Sequence, residues 1–205
     1  MIKFFGYFQF SFLVIFAAVV IVKSYQLLRK KIKPLTLWKS GLIYGVAETI
    51  YLVLTALWLF EFVIYSLNIK SLLYPAFFHI ELFSIVPTKI VGCIFLIIGL
   101  ILFTLAQISF GDSWRVGIDS SDPGKLVTNG IFSISRNPIY VAIALIFIGS
   151  FLINSKVIFL IACIFMLPTL HIQAVKEERF LLGLYGQKYR DYCSKVGRYI
   201  TWRRR

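Results

Sequence analysis

The sequence is short of the side chains that build metal centres and disulfide frameworks. Its 205 residues include only two histidines, nine acidic residues and three cysteines, and the cysteines stand far apart at positions 93, 163 and 193. Cys93 and Cys163 fall within apolar runs, where small buried side chains are the usual role of a thiol. We therefore expect neither a disulfide framework nor a metal site.

Long polar stretches are also scarce, which excludes a soluble domain of comparable size. Hydrophobic residues make up 59% of the chain, and the mean hydropathy is +0.83, values typical of an integral membrane protein. The apolar residues form five runs: Phe4 to Val22, Gly41 to Phe60, Ile90 to Ile108, Ile139 to Ile153 and Val157 to about Ile172. The last two are short against the roughly 20 residues that span a bilayer upright. We predict an all-α membrane protein with about five transmembrane helices, ending in a helical hairpin and an amphipathic cytoplasmic tail helix.

Acidic residues are outnumbered by 22 Lys and Arg, which gives a net charge of +13. Most of these cations follow the first apolar run, precede the fourth or lie in the tail, and only Lys3, Lys70, Lys89 and Lys156 fall toward the other side. The positive-inside rule then predicts an N-terminus outside and a C-terminus in the cytoplasm. Contact with anionic membrane lipids explains the charge, so we do not expect nucleic-acid binding. The sequence does not predict an oligomeric state.

The first apolar run begins like a signal peptide, because Lys3 precedes it. It leads directly into Lys23 and a basic cluster, however, where a signal peptide would have small residues at a cleavage site. We therefore expect a retained helix.

A polar motif and an acidic pair enclose the last two apolar runs. Residues 135–140, Ser-Arg-Asn-Pro-Ile-Tyr, precede the fourth run, and Glu177-Glu178 follow the fifth. Asn154-Ser155-Lys156, between the two runs, predicts a tight turn that returns the chain to the side it came from. The motif and the acidic pair should therefore meet at one membrane face, where an arginine and carboxylates can bind a charged ligand.

The motif also has structural explanations. Asn137 suits a helix N-cap and Pro138 the first helical position. Tyr140 and Arg136 suit the membrane interface. The motif alone therefore does not distinguish a functional site from a helix start.

The tail carries one aromatic stripe. Tyr185, Tyr189, Tyr192 and Val196 recur at the spacing of a single helix face. Such a helix can lie on the lipid headgroups, or it can close a site between Arg136 and Glu178 as a lid. The sequence leaves both interpretations open.

Together these motifs resemble a known family. An Arg-Asn-Pro-Ile-Tyr motif before a helical hairpin, then Glu-Glu and a basic tail with Tyr-Gly-x-x-Tyr-x-x-Tyr, is similar to the isoprenylcysteine carboxyl methyltransferase and phospholipid N-methyltransferase superfamily. The resemblance covers roughly residues 109–200, and Asn137 stands where the family more often has His. It implies methyl transfer from S-adenosylmethionine to a lipophilic acceptor, such as an isoprenoid or prenylcysteine carboxylate or a lipid amine, at the cytoplasmic face. It suggests two regions, an N-terminal two-helix region at 1–88 and a methyltransferase-like core at 89–205.

The resemblance also implies a set of site residues. The cofactor-pocket candidates are Leu126, Val127, Arg136, Pro138, Tyr140, His171, Glu177 and Glu178. Arg136 can pair with the cofactor carboxylate in a bidentate fashion, and Glu177 or Glu178 can accept from its ammonium or ribose groups. Arg136 and Glu178 are the catalytic candidates, and an amine acceptor would need a base such as Glu178 or His171.

Two further residues are substrate candidates. Glu48 lies midway along the second apolar run, where a carboxylate is costly enough to suggest a function, and Trp114 lies in the loop before the motif. Two other function classes remain open. One is an NADPH-dependent membrane reductase of the sterol-reductase type, and the other is a non-catalytic membrane protein for transport or assembly.

Overall fold

The computed structural model describes residues 2–32, 42–67, 69, 75–113 and 125–201, and these residues are almost entirely helical. The helices are α1 (Ile2–Arg29), α2 (Leu42–Ser66), α3 (Val86–Phe110), α4 (Pro138–Asn154), α5 (Val157–Tyr185) and α6 (Gln187–Lys195). Helices α1, α3 and α5 are long and apolar enough to cross a membrane. The prediction of an all-α integral membrane protein is thus confirmed.

Helix α5 extends well beyond the apolar run, Val157 to about Ile172, from which a helix is predicted. It contains Pro168 and continues through the charged segment to Tyr185, because residues 174–182 are mostly strong helix formers. It ends at Gly186, whose φ of 53° lies in the left-handed region that favours glycine. The Glu177-Glu178 pair therefore lies on a rigid helix and not in a loop after it.

The turn predicted between the last two apolar runs is confirmed. Helix α4 ends at Asn154, Ser155 adopts a left-handed conformation with φ of 52°, and Lys156 immediately precedes α5. The segment before α3 pairs with this turn, since Leu82 N donates to Ser155 O at 2.7 Å and Val157 N donates to Ile80 O at 3.2 Å. The two helices consequently run antiparallel.

Helices α3 and α4 approach each other closely through small residues. A Cβ atom on Gly92 would lie 2.7 Å from Gly149 O, and one on Gly149 would lie 2.8 Å from Gly92 O. Further along the same contact, a Cβ atom on Gly99 would lie 3.0 Å from Ala142 O. Small residues of this kind let membrane helices pack backbone against backbone. The first residues of α4, which carry the polar motif, are therefore anchored against the end of α3.

Side chains from α1 and α2 complete the core. Phe12 and Phe62 lie in one buried cluster with Leu96, Ile146, Ile153 and Phe159. Near one end of the molecule the amides of Gln9 and Asn154 form reciprocal hydrogen bonds of 3.3 and 2.8 Å. Near the other, Lys30 pairs with Asp112 at 2.8 Å. The end of α1 thus lies beside the end of α3, on the same side as the start of α4.

Candidate functional site

The tail returns alongside the polar motif in an extended conformation. Arg136 N donates to Gly197 O at 3.0 Å, Asn137 N to Arg198 O at 3.1 Å, and Thr201 N to Ile134 O at 2.8 Å. Gly197 permits this path, because a Cβ atom there would clash with Ile200 O. The backbone pairing places the Arg198 side chain next to the motif.

Glu178 is the centre of the resulting cluster. Its side chain is only 10% exposed, and Asn137 Nδ2 donates to its Oε1 at 2.8 Å. Arg198 binds it in a fork, with Nε at 3.2 and 3.1 Å from the two oxygens and Nη2 at 3.0 Å from Oε2. Arg136 Nη2 lies 3.5 Å from Oε1. A carboxylate has about four acceptor positions, so these donors saturate Glu178.

Arg136, in contrast, is incompletely satisfied. Its side chain is 13% exposed, Nη1 donates to Cys193 Sγ, and Nη2 faces Glu178 at the long distance of 3.5 Å. Its Nε is buried and has no hydrogen-bond partner among the described residues. A buried, unpaired guanidinium nitrogen is unusual enough to require an explanation, and an anionic ligand would supply one.

Glu177 differs from its neighbour. Its Oε2 accepts a hydrogen bond of 2.9 Å from Tyr140 OH, and its side chain is half-buried where that of Glu178 is buried. The structure therefore joins the start of α4 to α5 twice, through Asn137 and Glu178 and through Tyr140 and Glu177. Of the two carboxylates, Glu177 is the one still accessible to a ligand.

The aromatic stripe of the tail faces the protein interior. The prediction of a single helix through the stripe is wrong, because Gly186 breaks it: Tyr185 ends α5, Tyr189 and Tyr192 lie on α6, and Val196 follows α6. Tyr189, Tyr192 and Val196 are nevertheless buried together, with Leu126, Leu181, Tyr185 and Cys193 packed against them. Tyr192 OH also donates to Phe132 O at 2.6 Å. Burial raises the pKa of both Tyr189 and Tyr192 above the ordinary value, so both phenols are neutral at physiological pH. The stripe is thus the means by which α6 packs onto the loop before the motif.

His171 lies apart from the Arg136 cluster. It precedes Glu178 by seven residues on α5, roughly 10 Å along a helix that rises 1.5 Å per residue. A 2.6 Å hydrogen bond joins His171 Nδ1 to Tyr199 OH in the tail. The His171 side chain is exposed.

The remaining predicted site residues are distributed as follows. Pro138 is buried as the first residue of α4, and Val127 is half-buried in the loop before it. Trp114 and the side chain of Glu48 lie outside the described residues. A second acidic residue of α2 was missed, since Glu61 lies one position beyond the predicted apolar run and is fully buried.

Three members of the cluster were also missed as site residues: Arg198, Cys193 and the side chain of Asn137. Asn137 does occupy the N-cap position and Pro138 follows it, as predicted, but the Asn137 side chain makes no capping hydrogen bond. It donates instead to Glu178. No spacing rule links Arg198 to Glu178, because the chain bends at Gly186 and again at Gly197 between them.

Comparison with known proteins agrees with the family resemblance of the sequence motifs. Residues 87–188, about half of the chain, match the family model described as phospholipid methyltransferase. This chain is also similar to proteins named protein-S-isoprenylcysteine O-methyltransferase, including those from a budding yeast, a fission yeast and a frog. The one from Saccharomyces cerevisiae is 29% identical over 144 residues, 67% of this chain and 59% of its own. The protein from Schizosaccharomyces pombe is 28% identical over 131 residues, which cover 62% of this chain and 55% of that protein. The protein from Xenopus laevis is 27% identical over 132 residues, which cover 63% of this chain and 44% of that protein. The chain thus spans about half the length of these relatives.

Proposed function

This chain belongs to the isoprenylcysteine carboxyl methyltransferase and phospholipid N-methyltransferase superfamily, and we propose that it transfers a methyl group from S-adenosylmethionine to a lipophilic acceptor at the cytoplasmic membrane face. The observation that carries the proposal is Arg136, an arginine whose buried Nε has no hydrogen-bond partner among the described residues. It lies in the motif on which the family resemblance rests.

The residues present fit this cofactor. S-adenosylmethionine has a carboxylate, for which the unpaired Nε of Arg136 is a suitable donor. Its ammonium and ribose hydroxyls need acceptors, and the half-buried Glu177, oriented by Tyr140, provides one. Leu126, Val127 and Pro138 would supply apolar walls. Glu178 is saturated, so we assign it the role of holding Arg198 and Asn137 in place.

When bound, S-adenosylmethionine supplies a methyl group on a sulfonium, which is already activated for displacement. The protein's contribution is therefore mainly to hold cofactor and acceptor in line and to exclude water. A carboxylate acceptor is nucleophilic near neutral pH and needs no base. An amine acceptor must lose a proton, and His171, hydrogen-bonded to Tyr199, is the base we propose in that case.

The acceptor is proposed to approach from the lipid. The face of α5 below the site is apolar and lies on the outside of the helix bundle, with Ile164, Phe165 and Ile172 each more than half exposed. The names of the relatives support a prenylated cysteine carboxylate as the acceptor class. Glu48 and Trp114 stay proposals for acceptor contacts.

The proposed topology has five spans, formed by α1 to α5. The ends of α1 and α3 and the start of α4 then face the cytoplasm with the site, and the N-terminus faces outward. Residues 1–88 form a two-helix membrane region, and residues 89–205 form the methyltransferase-like core. The match of the family model to residues 87–188 supports this division.

Cofactor binding tests the proposal directly. The purified protein in detergent should bind labelled S-adenosylmethionine and not NADPH, and Arg136→Gln should weaken binding by about 10- to 150-fold, the equivalent of one charge-assisted contact of about 1.5–3 kcal/mol. Arg190→Gln is the matched control, because it removes the same charge from an exposed position on α6. The bound protein should then methylate a long-chain prenylated acid in preference to a short, water-soluble one.

Two outcomes would contradict the proposal. Selective binding of NADPH would favour the membrane-reductase alternative, and binding of neither cofactor would favour a transport or assembly protein. Wild-type affinity in Arg136→Gln would remove Arg136 from the site.

A further inference from the structure

Arg198 holds Glu178 more tightly than Arg136 does. Arg198 makes three hydrogen bonds to the carboxylate, at 3.0 to 3.2 Å, whereas Arg136 approaches it only to 3.5 Å through Nη2. The hydrogen bonds to Glu178 also raise the pKa of Arg198 above its ordinary value, so Arg198 stays charged. The Glu178 carboxylate is thus bound mainly by Arg198.

The charges in this cluster do not cancel. Within the hydrogen-bonded cluster Glu178 contributes one negative charge, and Arg136 and Arg198 contribute one positive charge each; the neighbouring Glu177 accepts from Tyr140 OH and lies outside it. The cluster is largely screened from water, since the side chains of Glu178 and Arg136 are 10% and 13% exposed and that of Arg198 is 38% exposed. A partly buried cluster with one excess positive charge favours an anion, and the excess resides on the arginine with the unpaired Nε.

We propose that Arg198 is a positioning residue that keeps Arg136 available for an anionic ligand. By occupying Glu178, Arg198 prevents Arg136 from closing onto the same carboxylate as a tight ion pair. The inference rests on the proposed function, in which the anion is the carboxylate of S-adenosylmethionine. The tail segment 197–201 therefore contributes to cofactor binding through charge balance and without touching the cofactor.

Replacing Arg198 should have a specific electrostatic consequence. Without Arg198, Arg136 is the only cation in this cluster that can pair with Glu178, and the cluster becomes neutral. The Arg136 guanidinium is then drawn toward Glu178 and away from the ligand. A second substitution, Glu178→Gln, removes the competing carboxylate and restores a net positive charge. The amide oxygen that it introduces can still accept from Asn137 Nδ2, so the link between α4 and α5 is kept.

The test is S-adenosylmethionine binding to the full chain in detergent, with thermal unfolding of each variant as the measure of folding. We expect Arg198→Gln to weaken binding by about tenfold or more, the scale of one charge-assisted contact. The double variant Glu178→Gln/Arg198→Gln should return to within about threefold of wild type, because the excess charge is restored. Arg198→Lys, which keeps the charge and loses the fork, should fall between them, and Arg190→Gln serves as the matched control.

A cofactor analogue without the carboxylate provides the second readout. Decarboxylated S-adenosylmethionine should bind Arg198→Gln at least as tightly as wild type, whereas general damage to the site would weaken both ligands. If Arg198→Gln cannot be purified, the double variant and Arg198→Lys decide: near-wild-type binding by the double variant together with intermediate binding by Arg198→Lys supports the proposal, and weak binding by a well-folded double variant overturns it. Unchanged affinity in Arg198→Gln would also overturn it. Failure of the wild type to bind S-adenosylmethionine would count instead against the proposed function.

Discussion

Asn137 shows how much a single amide contributes at this site. Its backbone N–H pairs with the tail at Arg198 O, its Nδ2 donates to Glu178 at 2.8 Å and to Arg198 O at 3.2 Å, and its position begins α4. The residue therefore ties three separate parts of the chain together. Its side chain acts as a donor here, although an N-cap side chain usually acts as an acceptor.

We predict that Asn137→Asp destabilises the protein despite its identical shape. The substitution removes the donor to Glu178 and places a second carboxylate against it, so the buried Glu178 loses a partner and gains a like charge. The expected cost is about 1–3 kcal/mol of unfolding free energy, measured by thermal unfolding in detergent. Asn129→Asp is the control, because Asn129 is exposed and makes no side-chain cap. Equal melting temperatures for the two variants would show that the Asn137 amide is not part of the network.

At the scale of elements, the close approach of α3 and α4 positions the site. Gly92 and Gly149 meet backbone to backbone, and the contact continues to Gly99 and Ala142. Because α4 begins at Pro138, any shift of α4 along α3 moves the polar motif relative to α5. The two glycines are therefore expected to control the site at a distance.

We predict opposite effects from adding one methyl group at two helix glycines. Gly149→Ala should destabilise by about 1–3 kcal/mol, the usual cost of overpacking, because the new Cβ would lie 2.8 Å from Gly92 O. Gly183→Ala should be neutral or stabilise by up to about 1 kcal/mol, because its Cβ meets nothing within 4 Å and alanine is the better helix former. Thermal unfolding of both variants in the same detergent measures the difference. A melting temperature unchanged by Gly149→Ala would contradict the close packing.

At the scale of the whole molecule, the proposed orientation places all of the site machinery on the cytoplasmic side. The loop before α3 and the turn at Ser155 lie at the opposite end, since they are hydrogen-bonded to each other. Ser84 in that loop and Ser194 on α6 are both exposed and are chemically matched positions for labelling.

We predict that a cysteine introduced by Ser84→Cys reacts with a membrane-impermeant maleimide in intact cells, and that one introduced by Ser194→Cys reacts only after lysis. The background should lack the three native cysteines at 93, 163 and 193. The positive-inside distribution of Lys and Arg is the physical reason for this orientation. The reverse labelling pattern would invert the topology and move the site to the outer face.

Features that depend on local patterns could be predicted from the amino-acid sequence. Apolar runs are read from composition and length, and the turn at Asn154-Ser155-Lys156 is read from its polar residues between two such runs. Because a hairpin brings its outer ends together, the meeting of Arg136 with the Glu177-Glu178 pair also followed. The helical periodicity of Tyr189, Tyr192 and Val196 predicted that these side chains share one face.

Features that depend on partners distant in the chain are visible only in the folded protein. Arg198 reaches Glu178 because the chain bends at Gly186 and Gly197, and no periodicity extends across two such bends. The glycine contact between α3 and α4 depends on how far one helix slides along the other, which a one-dimensional pattern does not contain. The same holds for the two neighbouring glutamates: they are identical in sequence, and only the donors that surround Glu178 leave Glu177 as the accessible one.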